Sequence, residues 1–449
     1  MGCWRGLSLA CPVDASKSGP LSQCMSNSIL AASYYQATAN CVVKTHRLDG
    51  DQSVDVVVIG AGYTGLSAAL ELAEAGYKVA VLEAETIGFG ASGRNGGQIC
   101  TGFSPGQSRL EGQLGKADAR ACFALAEEAK VLIEQRIAKY KINCDLTWGY
   151  MHCIPKAHQF GDLEAWAAEY EALGYGGNTL LSKAELEAKL GTTLYHGALR
   201  ESRAGHFHPL NYCLGLADAA IKAGALIYEN TPTVEIDTGP APFARTALGK
   251  VSAKFMIIGG NAYLGRAVPA LYGRVMPVAS YIIATEPLGE NRAKALIADN
   301  DAVANTNFIV DYYRRSKDHR LLFGGRASYS GMMPANLGEY MRPRMTHVFP
   351  QLKDVKIDHA WGGSIAITSN RLPDCGRLSR TVYYAHGYSG QGVALAGLYG
   401  KLMAEAVRGT AERFDLMARV KHLPFPGGAL RTPLLVAAMA YYRIRDVLS

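Results

Sequence analysis

Residues 54–83 read VDVVVIGAGYTGLSAALELAEAGYKVAVLE. The β-branched run VDVVVIG has the continuous apolar character of a buried strand. GLSAALELAEAG carries a helical pattern closed by Gly76, and KVAVLE follows as a second strand, so the stretch is a βαβ unit. Gly60-Ala61-Gly62-Tyr63-Thr64-Gly65 bridges the first strand and the helix, the context that a dinucleotide fingerprint requires. Gly60 permits the tight turn, and Gly62 lets a pyrophosphate reach backbone N–H groups at the positive end of the helix. Gly65 lets helix and strand pack closely. Glu83, ending the second strand, is placed to accept from ribose hydroxyls, and an acid there argues against a 2′-phosphate.

The next segment, GFGASGRNGGQ (88–98), is a loop rich in N–H donors where an NAD domain would continue into a helix. Such a loop suits ribityl and flavin, with Ser92 and Asn95 as polar contacts and Gly96 and Gly97 allowing a ring to approach the backbone. Arg94 reads either as a phosphate or flavin contact or as a solvated loop charge. Near the end of the chain, strand VYYAHG, loop YSGQG and helix VALAGLYGKLMAEAV aim another helix N-terminus at a ligand. N–H groups near Gly390, Gln391 and Gly392 would stabilise negative charge at the pyrimidine edge of a reduced flavin. The three segments converge on FAD.

The whole chain has 449 residues, 49% apolar and 19% charged, which fits a packed globular protein of two or three domains. Its net charge of +7 is scattered, with no basic run of the kind that binds nucleic acid or lipid. Ten cysteines show no CxxC pair and no zinc spacing, so no metal site and a reducing, cytoplasmic setting are expected. The apolar stretch Leu7 to Cys11 is cut short by Pro12 and Asp14, which argues against a signal peptide. Met25 opens MSNSILAASYYQATAN like an ordinary N-terminus, so residues 1–24 are expected to be an over-long start or a disordered extension. Leu434 to Tyr442, the longest apolar stretch, is too short to span a bilayer and reads as a docked C-terminal helix.

Strand signals recur at ALIYEN, KFMIIGGNAY and TVYYAHG, residues 106–190 look mostly helical, and 277–330 alternate like antiparallel strands. The fold class predicted is α/β combined with α+β: a discontinuous Rossmann-like FAD-binding domain with an inserted mixed-sheet substrate domain. The expected FAD-binding domain comprises 52–105, 190–275 and 356–410, and the substrate domain 106–189 and 276–355. Residues 1–32 form an N-terminal extension and 411–449 a C-terminal tail with a helix.

These segments resemble the FAD-dependent oxidoreductases of the D-amino-acid oxidase and sarcosine oxidase group. The similarity runs from about Ser33 onward and includes SYYQATAN, GAGYTGLSAAL, IGFGASGRNGGQ, GHFHPLN, GNAYLG, SYIIATEPL, RLLFGGR, GYSGQG and FPGG. It implies that Val234 meets the adenine through its backbone and that Gly259 and Gly260 lie along the cofactor. With these, the cofactor-binding set is Gly60, Gly62, Tyr63, Thr64, Gly65, Glu83, Ala84, Gly90, Ser92, Arg94, Asn95, Gly96, Gly97, Gln98, Val234, Gly259, Gly260, Gly390, Gln391, Gly392 and Val393. Members of the group that hold an α-carboxylate do so with an Arg after the flavin loop and a Lys inside the last helix; Cys100 and Ala394 stand at the matching positions. Near Gly363, in WGGSIAITSN, the flavin-tethering cysteine of some relatives is also missing, which implies noncovalent FAD.

Amine oxidation needs a neutral nitrogen, a hydride acceptor and a route for the proton. Tyr312, Tyr388, Arg326 and His208 are the catalytic candidates. Tyr312, Tyr313, Tyr388 and Trp361 read as an apolar wall that lowers the amine pKa, or as ordinary core. Arg326 would anchor a distant carboxylate or place positive charge near the flavin, or form a structural pair. His206 and His208 share a face of an extended segment and read as structural or pocket-lining rather than metal-binding. The resemblance implies a small-molecule amine substrate, above all gamma-glutamylputrescine, oxidised to an imine and then aldehyde and ammonia, with O2 reduced to H2O2. The alternatives are a D-amino-acid or other amine dehydrogenase using another acceptor and, more remotely, a flavin-dependent tRNA-modifying module.

Overall fold

The computed structural model describes residues 33–307, 309–328 and 333–426, without the side chains of 326 and 327. The expected N-terminal extension and the helix expected at 434–442 lie outside the described residues.

Strand β1 (Gln52–Ile59), helix α1 (Tyr63–Glu74) and β2 (Val79–Leu82) form the βαβ unit read from the sequence. β1 and β2 pair in parallel, Val56 opposite Val79 and Ile59 opposite Leu82. Period-two alternation divides each strand between two cores: Val56, Val58, Val79 and Val81 face the helices, whereas Val57, Ile59, Ala80 and Leu82 face the opposite layer. Burial on both faces explains why the strands read as unbroken apolar runs.

The first sheet has eight strands. To β1 and β2 it adds β7 (Leu226–Tyr228), β8 (Thr233–Asp237), β9 (Phe243–Thr246), β10 (Lys250–Ile258), β16 (Asp374–Ser379) and β17 (Val382–His386). Its order is β16-β17-β10-β1-β2-β7, with β9 pairing β10 and β8 pairing β9. The neighbours from β17 to β7 are parallel. This is a Rossmann-like sheet assembled from three separated stretches of chain.

The second sheet has nine strands. They are β3 (Gln98–Ile99), β4 (Thr147–Ile154), β5 (Asn178–Ser182), β6 (Gly197–His206), β11 (Met276–Thr285), β12 (Ala302–Asn305), β13 (Tyr312–Arg315), β14 (Leu321–Ser328) and β15 (Ile357–Ile367). Their order is β15-β11-β14-β13-β12-β4-β6-β3, with β5 on β6. Every ladder is antiparallel except β12 with β4, so the sheet is mixed, as expected.

Helices α2 (Gln107–Leu114), α3 (Lys116–Tyr140) and α4 (Phe160–Ala172) lie between β3 and β5. Helix α5 (Pro209–Lys222) follows β6, α6 (Leu337–Val348) precedes β15, and α7 (Gly392–Val407) follows β17. The stretch 106–190 is thus less purely helical than its sequence suggested, because β4 and β5 sit within it. Both pair with β6, hydrogen bonding that no local pattern reports.

The expected domain limits also need correction. Gly197–His206 and Ile357–Ile367, assigned to the cofactor domain, are strands of the second sheet, where β15 pairs with β11 from Met276↔Ile367 to Thr285↔Ile357. Gln98–Ile99 joins it too, through β6. No helix among the described residues is long and apolar enough to cross a membrane.

Candidate active site

A cavity of about 1790 Å³ runs between the two sheets. At one end, Gly60, Gly62, Glu83 and Ala84 line it beside Val234, where β1, β2 and β8 end or begin. Its middle is bounded by Gly90, Ser92, Arg94, Asn95 and Gly96, by Gly259 and Gly260, and by Tyr388, Gly390, Gln391, Gly392 and Val393. Tyr63, Thr64 and Gln98 complete this lining. The three segments far apart in sequence therefore do meet on one space.

Two members of the expected set stand behind the wall. A Cβ on Gly65 would lie 1.9 Å from Gly60 O, so Gly65 allows α1 to sit against the turn after β1. A Cβ on Gly97, whose φ is +76°, would lie 2.1 Å from Phe207 O. Its task is to let the flavin loop pass the chain leading into α5.

The donor set suits a dinucleotide. Neither α1 nor α7 has a side-chain N-cap, and both open at the cavity through Gly62 and Gln391. Apart from Tyr63 N, the first-turn N–H groups leave partial positive charge where phosphate or an anionic flavin edge would sit. Ser364 Oγ and Gln391 Oε1, on the wall, are buried without a hydrogen-bond partner among the described residues. The Glu83 carboxylate accepts from Ala61 N at 2.7 Å and Glu85 N at 3.1 Å, which fixes its orientation at the end of β2. Burial pushes its carboxyl above the usual range despite those two bonds. Ribose hydroxyls donating to it would favour the ionised form.

The glycine-rich loop is organised by its own polar groups. Ser92 Oγ accepts from Tyr63 N at 3.0 Å, tying the loop to the start of α1. Asn95 is directed mainly inward, donating to Ala91 O and Ser92 O and accepting from Gly97 N. Arg94 is 4% exposed and donates from Nε to Phe89 O at 2.9 Å, which excludes the solvated-charge alternative. Burial lowers its guanidinium pKa from the ordinary value.

Of the catalytic candidates, Tyr312 and Tyr388 line the cavity. Tyr312 faces Gly324 across the β13–β14 ladder, and a Cβ on Gly324 would lie 2.1 Å from its ring. A second glycine, Gly96, borders the same ring at 2.8 Å by the same measure, so two missing side chains make its slot. Its hydroxyl is 3.4 Å from Ser280 Oγ, and burial pushes its phenol up to about 12. Tyr388 Oη lies 2.7 Å from Thr64 Oγ1, a bond that joins the last flavin segment to the first helix.

His208 is a correction. It caps α5, its Nδ1 accepting from Asn211 N at 3.1 Å, and its Nε2 lies 3.0 Å from Thr38 Oγ1. Its ring packs edge-on against Tyr35 with centroids 4.9 Å apart, away from the cavity wall. Burial drops its pKa to about 4, and that of His206 to about 3. His206 Nε2 is 2.8 Å from Asn300 O, so both histidines are structural.

The expected aromatic wall is only half right. Tyr313, adjacent to Tyr312, points to the other face of the sheet and stacks on Phe323 at 5.6 Å. Trp361 is fully buried and donates from Nε1 to Arg94 O at 3.0 Å, supporting the flavin loop from behind. Arg326 lies on β14, and its side chain falls outside the described residues. Cys100 lines the cavity, whereas Ala394 is buried in α7. Gly363 is on the wall, where a Cβ would meet Arg94 Cβ at 3.3 Å.

Sequence reasoning missed the far end of the cavity, formed by Gln107, Phe123, Tyr150, His152, Trp166, Glu169 and Tyr170. A partial signal was present. Tyr150 and His152 alternate onto one face of β4, and Trp166 and Tyr170 are spaced i, i+4 on α4. Here His152 Nε2 meets Glu201 Oε1 at 2.7 Å. Burial works to raise the Glu201 carboxyl, but bonds from His152 and Thr101 and the charge of Lys130 hold it below the usual value.

A family model described as FAD dependent oxidoreductase matches residues 55–406. Gamma-glutamylputrescine oxidoreductase of Escherichia coli strain K12 is 42% identical over 417 residues, covering 92% of this chain and 98% of that protein. The crystal structure of glycine oxidase from Geobacillus kaustophilus superposes with a TM-score of 0.69 at 22% identity, over 83% of this chain and all (100%) of that one. L-amino acid deaminase from Proteus vulgaris gives a TM-score of 0.69 at 18% identity, covering 84% and 99%.

Proposed function

Starting from a chain that belongs to the FAD dependent oxidoreductase family, we propose that it oxidises a primary amine, above all gamma-glutamylputrescine. The observation that carries this reading is the 42% identity to gamma-glutamylputrescine oxidoreductase over nearly the full length of both chains. The wall chemistry agrees with it. Cys100 faces the cavity at the position where the resemblance expects the cation that clamps an α-carboxylate.

FAD, when bound, supplies the two-electron acceptor for the C–H bond next to the amine nitrogen. The protein supplies the cradle and the environment. The N-termini of α1 and α7 and the carboxylate of Glu83 hold and orient the dinucleotide. Tyr312, Ile282 and Tyr150 line the space beyond the flavin loop, excluding water and lowering the pKa of an entering amine so that its nitrogen is neutral. The Tyr312 hydroxyl, neutral at physiological pH, offers a hydrogen bond that positions that nitrogen. The amine loses two electrons and two protons to become an imine, and water then releases aldehyde and ammonia. O2 takes up the two electrons and two protons as H2O2. The cytoplasm is the proposed setting, in keeping with seven free cysteines among the described residues.

Anaerobic mixing of the holoenzyme with gamma-glutamylputrescine tests this directly. Bleaching of the visible flavin band, followed by recovery and peroxide on admitting air, is the expected result. Bleaching without recovery would replace O2 by another acceptor, and faster bleaching by glycine or D-amino acids would overturn the substrate. Acid precipitation should release the flavin into the supernatant, as noncovalent binding requires.

A further inference from the structure

Beyond Tyr150 the cavity continues into an end made of side chains rather than backbone. Helix α4 presents Trp166, Glu169 and Tyr170 at i, i+3 and i+4, and all three line the space. The Trp166 and Tyr170 rings are 5.8 Å apart. His152 lies between Tyr150, at 4.5 Å, and Trp166, at 4.4 Å, with Glu201 holding its Nε2. Opposite, α2 contributes Gln107 to the wall and carries Glu111 one turn further on.

Two features of this end are unbalanced. Glu169 is half-buried and has no ion-pair partner among the described residues; burial first, and then the charge of Glu111, raise its carboxyl above the ordinary value. Gln107 is 5% exposed, yet among the described residues neither its Oε1 nor its Nε2 has a hydrogen-bond partner. An ammonium group would answer the first, relieving the repulsion between the two acids while resting on the indole and phenol faces. A carboxylate or amide beside that ammonium would answer the second. The reacting nitrogen must be neutral, so a site that selects a cation receives the opposite end of the molecule.

We propose that this end of the cavity is a subsite for an ammonium-bearing head at the non-reacting end of the substrate, with Glu169 as its counter-ion and Gln107 bonding the adjacent carboxylate or amide. The inference rests on the amine-oxidation reading, because that reading assigns the neutral nitrogen to the flavin end. It also supplies selectivity: a plain alkylamine fills the reaction end and leaves Glu169 and Gln107 unanswered.

Calorimetric titration of the holoenzyme with two ligands that lack the oxidisable amine tests it. Gamma-glutamylbutylamide carries the α-ammonium head, and N-butylglutaramate is the same chain without that ammonium. The wild-type protein is expected to bind the first about tenfold more tightly. Glu169→Gln should shrink the preference to about threefold or less, and Trp166→Leu should reduce it by a similar factor. Equal affinity of the wild-type protein for both ligands, or binding of neither, overturns the subsite; an unchanged preference in Glu169→Gln overturns the role of Glu169. Discrimination without flavin bleaching by gamma-glutamylputrescine would break the amine-oxidation reading alone. Bleaching without discrimination would break the subsite alone.

Discussion

The two ends of the cavity are made of different materials. The dinucleotide end is backbone: helix N-termini at Gly62 and Gln391, a turn at Gly60, and close packing at Gly65, where a Cβ would overlap Gly60 O at 1.9 Å. The far end is side chain: His152, Trp166, Glu169 and Tyr170, steadied by Glu201 from a strand some fifty positions away. Backbone surfaces depend on what is absent from a sequence, so they tolerate no added atoms. Side-chain surfaces depend on what is present, and they fail when a partner is removed.

Substitutions that add atoms at one end and remove them at the other would sharpen or break this contrast. The largest effect is expected from Gly65→Val, which forces α1 away from the turn and should cost more than about 4 kcal/mol. The purified protein should then carry no flavin absorbance; retention of stoichiometric flavin would refute the close-packing role. Next is Glu201→Ala, which leaves His152 and Thr101 without their buried acceptor and should cost about 3 kcal/mol. Its denaturant midpoint should fall while the flavin-to-protein ratio is retained, and simultaneous loss of flavin would show that the two ends are not separable.

A smaller effect comes from the joint between the ends, at the β6–α5 turn. His206 and His208 have folded-state pKa values depressed to about 3 and about 4, so the unfolded chain binds protons first as pH falls below the ordinary histidine value of about 6.5. Stability should be full well above that value and decline as pH drops toward 5, by about 2 kcal/mol for each histidine. His208→Asn keeps an acceptor for Asn211 N and should flatten this acid limb by about one proton; an unchanged slope would mean that His208 is not held neutral. The smallest effect is expected from Tyr388→Phe. Losing its bond to Thr64 should cost about 1 kcal/mol, read as about fivefold weaker flavin retention with kcat altered less than about threefold. A far larger fall in kcat would return Tyr388 to the chemistry.

The cofactor end was legible because glycine at 60, 62 and 65, within a strand–turn–helix pattern, has few physical explanations besides close backbone approach. Ser92, Gln391 and the final helix were legible for the same reason, each being local to its own loop. The functions of individual side chains were less so. His208 was a catalytic candidate, yet its ring nitrogens cap α5 and meet Thr38, a neighbour 170 positions away. Tyr312 and Tyr313 looked equivalent until strand alternation and the ladder to Gly324 sent them to opposite faces.

By itself, then, the sequence determined the βαβ unit, the strand–turn–helix glycines at 60, 62 and 65 and the loop and helix character of the other two glycine-bearing segments, because each is set by contacts within a few residues; that all three line one cavity follows from their packing. Only the tertiary structure decided where the sheets divide, since Gly197–His206 and Ile357–Ile367 take their strand identity from partners elsewhere in the chain. It alone also brought α2, β4 and α4 around one space, because a wall of side chains exists only once separate elements have packed.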